Sequence, residues 1–492
     1  PKLLAQESAV ALPYWLSQGA MSSGVDLRAL GCCTFARGSA RGKVGAETHA
    51  QAQAGCIALW PPGSACSANI AISLDWSDLL GAYVDSGAQT VRLVHCPRTR
   101  EISCFGAGKM QRRREDVVLS FAKDGAACTQ EHCEAVKGWT RAVVAACVPS
   151  KPRHYLVFIN PASGSGGAPK AWAIAKSLLA EIQSLRITEV VTTRANEAFE
   201  KVRDLDLTCY DGVVIVSGDG LVHEVLNGFA VHREPAKALA MPIGHIPGGS
   251  GNGLALSVLH ACGESNGILD AAFLIAKGRV QPIDLASVKM ASAPPRVSFL
   301  SLSWAMISSI DIDSESIRCL GGLRFTVYVV YSILRKRSWA GKIHYWPAEL
   351  GPPPPAPAVD ASLPQAEKWR CISGEVIVFW AMNTTHMASD AFAAPSAKLG
   401  DGSWQLLVVR KSNRATRWQL VRFFLGLETA EHLPFAGAEV LPCKALRLEP
   451  ENHDGHISLD GELMPPGPIQ VWVEHQRGNV IGSSGSVDLE RA

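Results

Sequence analysis

Charge of neither sign is in excess. There are 47 Lys and Arg against 45 Asp and Glu, a formal net charge of +2 over 492 residues. So small a surplus leaves no electrostatic footprint for nucleic acid, and no nucleic-acid partner is expected. Long hydrophobic runs are also missing. The longest apolar stretches, 297–310 and 323–334, contain serine or threonine and fall short of the ~20 residues that cross a bilayer. They read as core strand and core helix. No Cys-x-x-Cys pair occurs among the 14 cysteines, nine of which precede residue 150. Cys128, His132 and Cys133 make a poor metal set, and the irregular spacing is that of scattered reduced thiols in a cytoplasmic protein. Nothing near Cys32-Cys33 supports an acylation site. An initiating methionine is lacking as well: the chain starts at Pro1, is expected to be a fragment, and its want of a signal peptide therefore carries little weight. The P-loop pattern G-x-x-x-x-G-K-[ST] is absent. So is G-x-G-x-x-G at the first strand turn, which argues against a common dehydrogenase.

What is present suits a globular protein of two or three domains, 47% hydrophobic and 19% charged. Residues 1–68 are rich in Ala, Gly and Ser without periodicity and read as disordered or linker. From 69 to 147, strand-like segments at 70–76, 90–95 and 117–122 precede a helical pattern at 133–144 with Trp139 at its centre. Strands closed by one tryptophan-bearing helix resemble a pleckstrin-homology-type domain. The run Arg112-Arg113-Arg114 would fit a phosphoinositide site or a solvated loop. Residues 153–282 alternate strand and helix, the mark of a parallel sheet covered on both faces. Residues 283–478 turn strand-rich, as at 296–302, 374–380, 404–409 and 469–473, which predicts a mostly antiparallel second domain. Helical stretches at 316–334 and 414–427 interrupt it. The proline-rich segment 351–366 reads as a flexible surface loop, and 479–492 as a tail.

Three glycine-rich turns carry the chemistry. Residues 217–228 read Ser-Gly-Asp-Gly-Leu-Val-His-Glu-Val-Leu-Asn-Gly and follow the buried-strand pattern Gly212-Val-Val-Ile-Val216. A glycine-flanked aspartate at the carboxyl end of a strand lies where open α/β sheets bind ligands. Gly218 and Gly220 leave room for a phosphate at the backbone, and Asp219 is a carboxylate beside it. That suits phosphoryl transfer, with Asp219 as general base toward an attacking hydroxyl. The alternative is an Asp that caps the following helix. The other turns are Asn160-Pro-Ala-Ser-Gly-Ser-Gly-Gly167, after a strand and before a helix, and Pro247-Gly-Gly-Ser-Gly-Asn-Gly253. A helix N-terminus after such a turn is a ready anion site.

These loops resemble the nucleotide-binding loops of the diacylglycerol-kinase catalytic family. Ser217 before Gly218-Asp219-Gly220, Leu-Val-His-Glu after it, and the segments 297–326, 389–395 and 459–463 resemble the sphingosine kinases in particular, over roughly 154–475. The resemblance implies a phosphofructokinase-like α/β domain paired with a β-sandwich-like domain, with ATP in the cleft between them. It implies nucleotide contacts from Asn160, Pro161, Ser163, Gly164, Thr192, Ser217, Gly218, Gly220, Glu224, Gly249, Ser250 and Gly251. Arg318 and Arg324 would reach across to phosphate. Asp460-Gly461-Glu462 would place acidic groups by the nucleotide and its Mg²⁺, which is held through ATP phosphates. Asp311 and Ser301 would bind the ammonium and hydroxyl of a sphingoid base.

Two departures from the family pattern stand out. The first loop has lysine only at Lys170, so phosphate binding there rests on backbone groups and contact with anionic membrane is weakened. Ser309 stands where some relatives carry an acid. The expectation is an ATP- and Mg²⁺-dependent lipid kinase, cytoplasmic and peripherally membrane-associated, acting on a sphingoid base. The alternatives are a ceramide or diacylglycerol kinase, a kinase of a soluble substrate, and a catalytically dead lipid-binding scaffold.

Overall fold

A computed structural model describes residues 33–38, 44–52, 56–60, 72–86, 90–100, 110–120, 130–149, 151–314, 316–317, 323–451 and 454–482. Its N-terminal strands are β1 (Cys33–Gly38), β2 (Val44–Ala52), β3 (Cys56–Trp60), β4 (Ile72–Asp75), β5 (Leu79–Asp85), β6 (Thr90–His95), β7 (Arg98–Arg100), β8 (Met110–Arg112) and β9 (Val117–Ser120). Seven of them form an antiparallel sheet in the order β4-β3-β2-β1-β9-β6-β5, and β7 and β8 form a separate ribbon. Helix α1 (Gln130–Cys147) lies against β5. Its buried Val136, Trp139 and Val143 recur at three and four residues, the spacing of one helix face. Strands β1 to β3 fall in the stretch that read as linker, so that expectation is corrected. Val-Gly-Ala-Glu-Thr-His-Ala-Gln-Ala has little β-branched content, and its alternation is too weak to stand out. Residues 1–32, with Cys32, and Cys128 lie outside the described residues.

The next part alternates as the sequence predicts. It comprises β10 (Arg153–Ile159), α2 (Ala168–Leu179), β11 (Leu185–Val191), α3 (Glu197–Arg203), β12 (Gly212–Ser217), α4 (Asp219–Ala230), α5 (Pro235–Leu239), β13 (Ile243–Pro247), α6 (Gly253–Ala261) and α7 (Ile268–Lys277). The four strands are parallel in the order β11-β10-β12-β13. All six residues of β12 are buried, as a central strand covered on both faces requires. Helix α2 packs with α7, and α3 with α4. Strand order reverses between β10 and β12, so the loops that leave these two strands flank the crevice where such sheets bind ligands.

The strand-rich part comprises β14 (Val280–Met290), β15 (Ala293–Ser298), β16 (Ser301–Ala305), α8 (Met306–Asp313), α9 (Leu323–Arg335), β17 (Trp339–Pro347), β18 (Arg370–Met382), β19 (Trp404–Arg410), α10 (Arg417–Leu425), β20 (Ala438–Pro450), β21 (Ile457–Leu459), β22 (Glu462–Met464) and β23 (Ile469–Ile481). β18 and β20 each divide their length between β17 and β19, which wraps this region around an apolar interior. β23 pairs antiparallel with β14 and also meets β13, at Ile243 opposite Val480. One sheet therefore runs from the parallel part into the antiparallel part. Residues 479–481, expected in a tail, belong to this strand.

Residues 351–366 are not a loose loop. The indole N–H groups of Trp346, Trp369 and Trp472 donate to the carbonyls of Gly351, Pro364 and Pro354 at 3.1, 3.0 and 2.9 Å. Arg447 Nη1 donates to Ala361 O at 2.7 Å, and Gln470 Nε2 to Ala358 O at 3.1 Å. The segment is a strap whose carbonyls satisfy buried donors on the sheet face.

Two of the three arginines in the basic run at 112–114, Arg112 and Arg114, are engaged inside the chain, and Arg113 is exposed. Arg112 Nε and Nη2 form a fork with Glu264 at 2.9 and 2.8 Å, and Nη1 reaches Asp78 Oδ1 at 2.7 Å and Cys96 O at 2.6 Å. Its guanidinium lies 3.6 Å from the ring centroid of Phe273 on α7. Arg114 and Arg92 share Asp116 and Glu181. Lys277, at the end of α7, donates to Leu79 O and Cys147 O at 2.6 and 3.1 Å, and burial lowers its pKa to about 8. The N-terminal part is thus clamped to α7, to Glu264 just before it and to Glu181 after α2. The Arg112 and Glu264 side chains are only 4% and 3% exposed. Removing one partner of such a pair leaves a buried charge, so Arg112→Ala should lower stability by about 3–5 kcal/mol in urea denaturation. A loss under about 1 kcal/mol would instead mark an ordinary surface pair.

Candidate active site

The three glycine loops meet backbone to backbone. After β10, Asn160 Oδ1 accepts from Ala162 N at 3.0 Å and Asn160 O accepts from Ser163 N at 3.2 Å, which folds the loop back on itself. That turn carries Ser163 Oγ to the amide of Gly218, which donates to it at 3.1 Å. Gly218 then lies against the third loop. A Cβ on Gly218 would stand 2.6 Å from Gly251 O, and one on Gly249 would stand 2.5 Å from both Gly218 N and Gly218 Cα. Gly164 has φ +56°, and a Cβ there would be 2.9 Å from Ser250 N. Only glycine allows this approach. Asn252 fixes the third loop, accepting from Gly249 N at 3.1 Å and donating to Gly249 O at 2.8 Å. Among the described residues, no hydrogen bond uses the N–H groups of Ser165, Ser250 or Gly251. Such amides beside the start of a helix are donors for an anion.

Asp219 opens α4 but does not cap it. Its Oδ2 accepts from Gly253 N at 2.6 Å and its Oδ1 from Leu254 N at 3.1 Å, the first two amides of α6. Its own N–H donates to Gly251 O at 3.0 Å. The carboxylate is 5% exposed, and burial raises its pKa to about 6; the two α6 amides oppose that rise and Asp460 adds to it. Capping therefore occurs, on a helix the sequence reading did not consider. A carboxyl group that titrates near 6 can accept a proton at neutral pH.

A second set of residues closes on the first. Asp460 lies at a turn with φ +51°. Its Oδ1 accepts from Ser298 Oγ, Leu300 N and Ser301 N at 2.6, 2.9 and 3.0 Å, and its Oδ2 contacts His223 Nδ1 on α4 at 3.0 Å. Asp460 is thus a latch between α4 and the start of β16, with its lone pairs already engaged. Gly461 completes the turn, and Glu462 hangs over α4: a Cβ on Gly220 would be 3.2 Å from its Oε1. Glu224, also on α4, has a buried Oε2 with no hydrogen-bond partner among the described residues, and burial raises its pKa. Thr192 donates through N to Ile159 O at 2.9 Å, which sets it beside Asn160. Pro161 is exposed and Ser217 buried, with Ser217 O accepting from Gly248 N at 3.0 Å. Ser301 is buried on β16. Asp311 Oδ2 accepts from Ser458 Oγ at 3.1 Å, so Asp311 and Asp460 are held by one hairpin, β21–β22. Arg324 is buried with its guanidinium 4.4 Å from the Phe325 ring centroid. Arg318 lies outside the described residues. Sequence reasoning gave no role to Asn252, His223, Ser298 or Ser458, although Asn252, His223 and Ser298 lay in stretches already singled out.

No group of three or more His, Cys, Asp or Glu able to hold a metal ion occurs among the described residues, so no protein ligand set is assigned to Mg²⁺. The fold is shared with a solved structure of a putative diacylglycerol kinase from Bacillus anthracis str. Sterne. The match has TM-score 0.51 and 17% identity and covers 69% of this chain and 98% of that one. Residues 154–288 match the diacylglycerol kinase catalytic domain. Human sphingosine kinase 1 is 32% identical over 345 residues, which is 66% of this chain and 89% of that protein. The chain belongs to the sphingosine kinase family. Human sphingosine kinase 2 is 35% identical over 536 residues, covering 77% of this chain and 81% of that one. Sphingoid long chain base kinase 4 of Schizosaccharomyces pombe is 27% identical, with 69% and 77% covered. The protein is a lipid kinase.

Loop contact and turnover can be separated by two glycines. Gly249→Ala forces the second and third loops apart and should cut kinase turnover by an order of magnitude or more, since a misplaced site costs about 10²-fold. Gly167→Ala has φ −77° and no atom nearer than 4.0 Å to the new Cβ, and should stay within about twofold of the parent. Equal activity in the two variants would show that loop contact does not set the site.

Proposed function

We propose that the protein transfers the γ-phosphate of ATP to the primary hydroxyl of a sphingoid base. The observation that carries this reading is the buried Asp219 carboxyl at the junction of three glycine loops, beside amides that no hydrogen bond among the described residues engages. The phosphates of ATP, with Mg²⁺ bound to them, would lie on the amides of the first and third loops and the start of α2. Mg²⁺ would supply charge neutralisation there. The lipid hydroxyl gives its proton to Asp219, and its oxygen bonds to the γ-phosphorus. The bond from that phosphorus to the β-phosphate oxygen breaks, and ADP leaves with the electron pair. Arg318 and Arg324 are assigned to the phosphate side, and Asp311 with Ser301 to the ammonium and hydroxyl of the base. Asp313, the neighbouring acid, is paired with His456 Nε2 at 2.9 Å.

Exposed apolar residues support peripheral attachment to a membrane on the cytoplasmic side. Val327, Val330, Tyr331 and Leu334 on α9 and Trp418 and Leu425 on α10 are 46–75% exposed. Arg417 Nε donates to Leu334 O at 3.1 Å and joins the two helices. Arg335, Lys336 and Arg422 supply positive charge nearby, the pairing that favours an anionic lipid surface. Among the described residues, no helix is long and apolar enough to cross a membrane. The engaged Arg112 and Arg114 argue against a headgroup site on the basic run at 112–114.

Asp219→Asn should keep the fold and lose about two to four decades of kcat. In the parent, kcat/KM should be flat above pH ~6 and fall as pH drops through it, because the working form of a base with a raised pKa is the deprotonated one. Retention of more than roughly a tenth of kcat in the variant would remove Asp219 from the base role.

The substrate is tested by purified protein with Mg-ATP and a panel of sphingosine, phytosphingosine, ceramide and diacylglycerol. Asp311→Asn should raise KM for sphingosine about tenfold or more, the scale of a hydrogen bond to a charged group, and leave KM for ATP unchanged. A preference for ceramide or diacylglycerol in the parent, with no effect of Asp311→Asn, would move the chain to neutral lipids.

A further inference from the structure

Strand β13 reads Ile-Gly-His-Ile-Pro, with one histidine in an apolar, buried setting. His245 is 7% exposed. Its Nε2 lies 3.1 Å from Ser217 O, and a carbonyl only accepts, so in the neutral ring Nε2 carries the hydrogen. Nδ1 then carries the lone pair. It is buried, has no hydrogen-bond partner among the described residues, and faces Asp219 Oδ1 at 4.0 Å. The other walls around the ring are apolar: Leu254 and Val258 from α6, Leu274 and Ile275 from α7, and Val480 from β23. Among the described residues, Asp219 is thus the one titratable group shown to meet this ring. The next charge, Asp460, acts on Asp219 and is itself held by His223. Burial lowers His245 to about 4, so the ring is neutral at physiological pH.

An ionised carboxylate has no hydrogen to offer a lone pair, and at 4.0 Å the two groups make no hydrogen bond. Once Asp219 Oδ1 holds a proton, it becomes a donor with an acceptor already aimed at it. Closing the gap by about an ångström makes a normal hydrogen bond. We propose that His245 is a positioning residue for Asp219, its Nδ1 lone pair serving as the acceptor for the proton that Asp219 takes from the substrate hydroxyl. This rests on the reading of Asp219 as the base. The proton count balances: one proton leaves the hydroxyl, resides on Asp219 Oδ1 in a bond to Nδ1, and returns to solvent after the product departs. By favouring the protonated carboxyl, His245 strengthens the base.

Two substitutions separate this role from a structural one. In His245→Gln the amide nitrogen replaces Nε2 and keeps the bond to Ser217 O, but no acceptor stands at the Nδ1 position. In His245→Asn the amide falls near Nδ1 and keeps an acceptor, but the bond to Ser217 O is lost. Both are measured beside the parent and Asp219→Asn for kcat/KM against pH, KM for ATP and melting temperature. His245→Gln should melt with the parent and keep its KM for ATP. Its kcat should fall on the order of tenfold, and the acid limb of kcat/KM should move to lower pH, as expected for a weakened base. His245→Asn should keep the parent's acid limb even where it melts earlier. An unmoved limb and full kcat in His245→Gln, or equal shifts in both variants, would overturn the inference. If Asp219→Asn is dead while His245→Gln behaves as the parent, this inference alone fails. If Asp219→Asn remains active, the reading beneath it fails.

Discussion

The backbone at Gly218 lies so near Gly249 and Gly251 that no side-chain carbon fits between them, and the rest of the site is arranged around that approach. The contact joins the ends of β12 and β13, and Ser163 brings in the end of β10. With no side chains between the loops, the exposed polar groups are main-chain amides, whose positions follow from the sheet. Site geometry is thereby inherited from the strand register at Ser217 opposite Pro247 and Ile159 opposite Val216. A site built in this way needs few long side chains, which accords with a first loop whose one lysine stands at its far end.

Asp219 shows how two opposed effects are combined in one group. Burial alone would hold the carboxyl protonated and useless as a base. The two amides that open α6, with the positive end of that helix behind them, return part of the lost solvation. The balance falls near 6, between a spectator carboxylate and an inert acid. The same bonds attach α6 to the second loop, so the acid–base group is also a structural tie.

What could be read from the sequence divides along a physical line. The glycine loops were legible because their requirement is local: close approach and positive φ demand glycine whatever lies far away. The alternation of 153–282 was legible because fully buried parallel strands leave continuous apolar runs. Arg112 was not, since a basic run looks the same whether solvated or paired, and its partner Glu264 stands 152 residues away. The strap at 351–366 misled for the same reason: its proline content signals a loop, while the three tryptophans that hold it are scattered from 346 to 472. His245 carried no signal at all. A histidine in an apolar strand is ordinarily a satisfied core residue, and only the orphaned Nδ1 facing Asp219 marks this one.

The junction of β13 with β23 has a bearing on how the molecule comes to exist. Ile243 and Val480 are neighbours in the sheet, and β23 also lines the whole of β14. During synthesis the loops that make the site leave the ribosome long before residues 469–481, the strand that covers their flank. Until then β13 presents an open edge, and α6 and α7 lack one wall of the apolar space around His245. Pairings of such large sequence separation are slow to form, and exposed strand edges are prone to wrong partners. A nascent chain of this protein thus has a long interval in which its nucleotide loops are made but unsupported, and the emergence of β23 ends it.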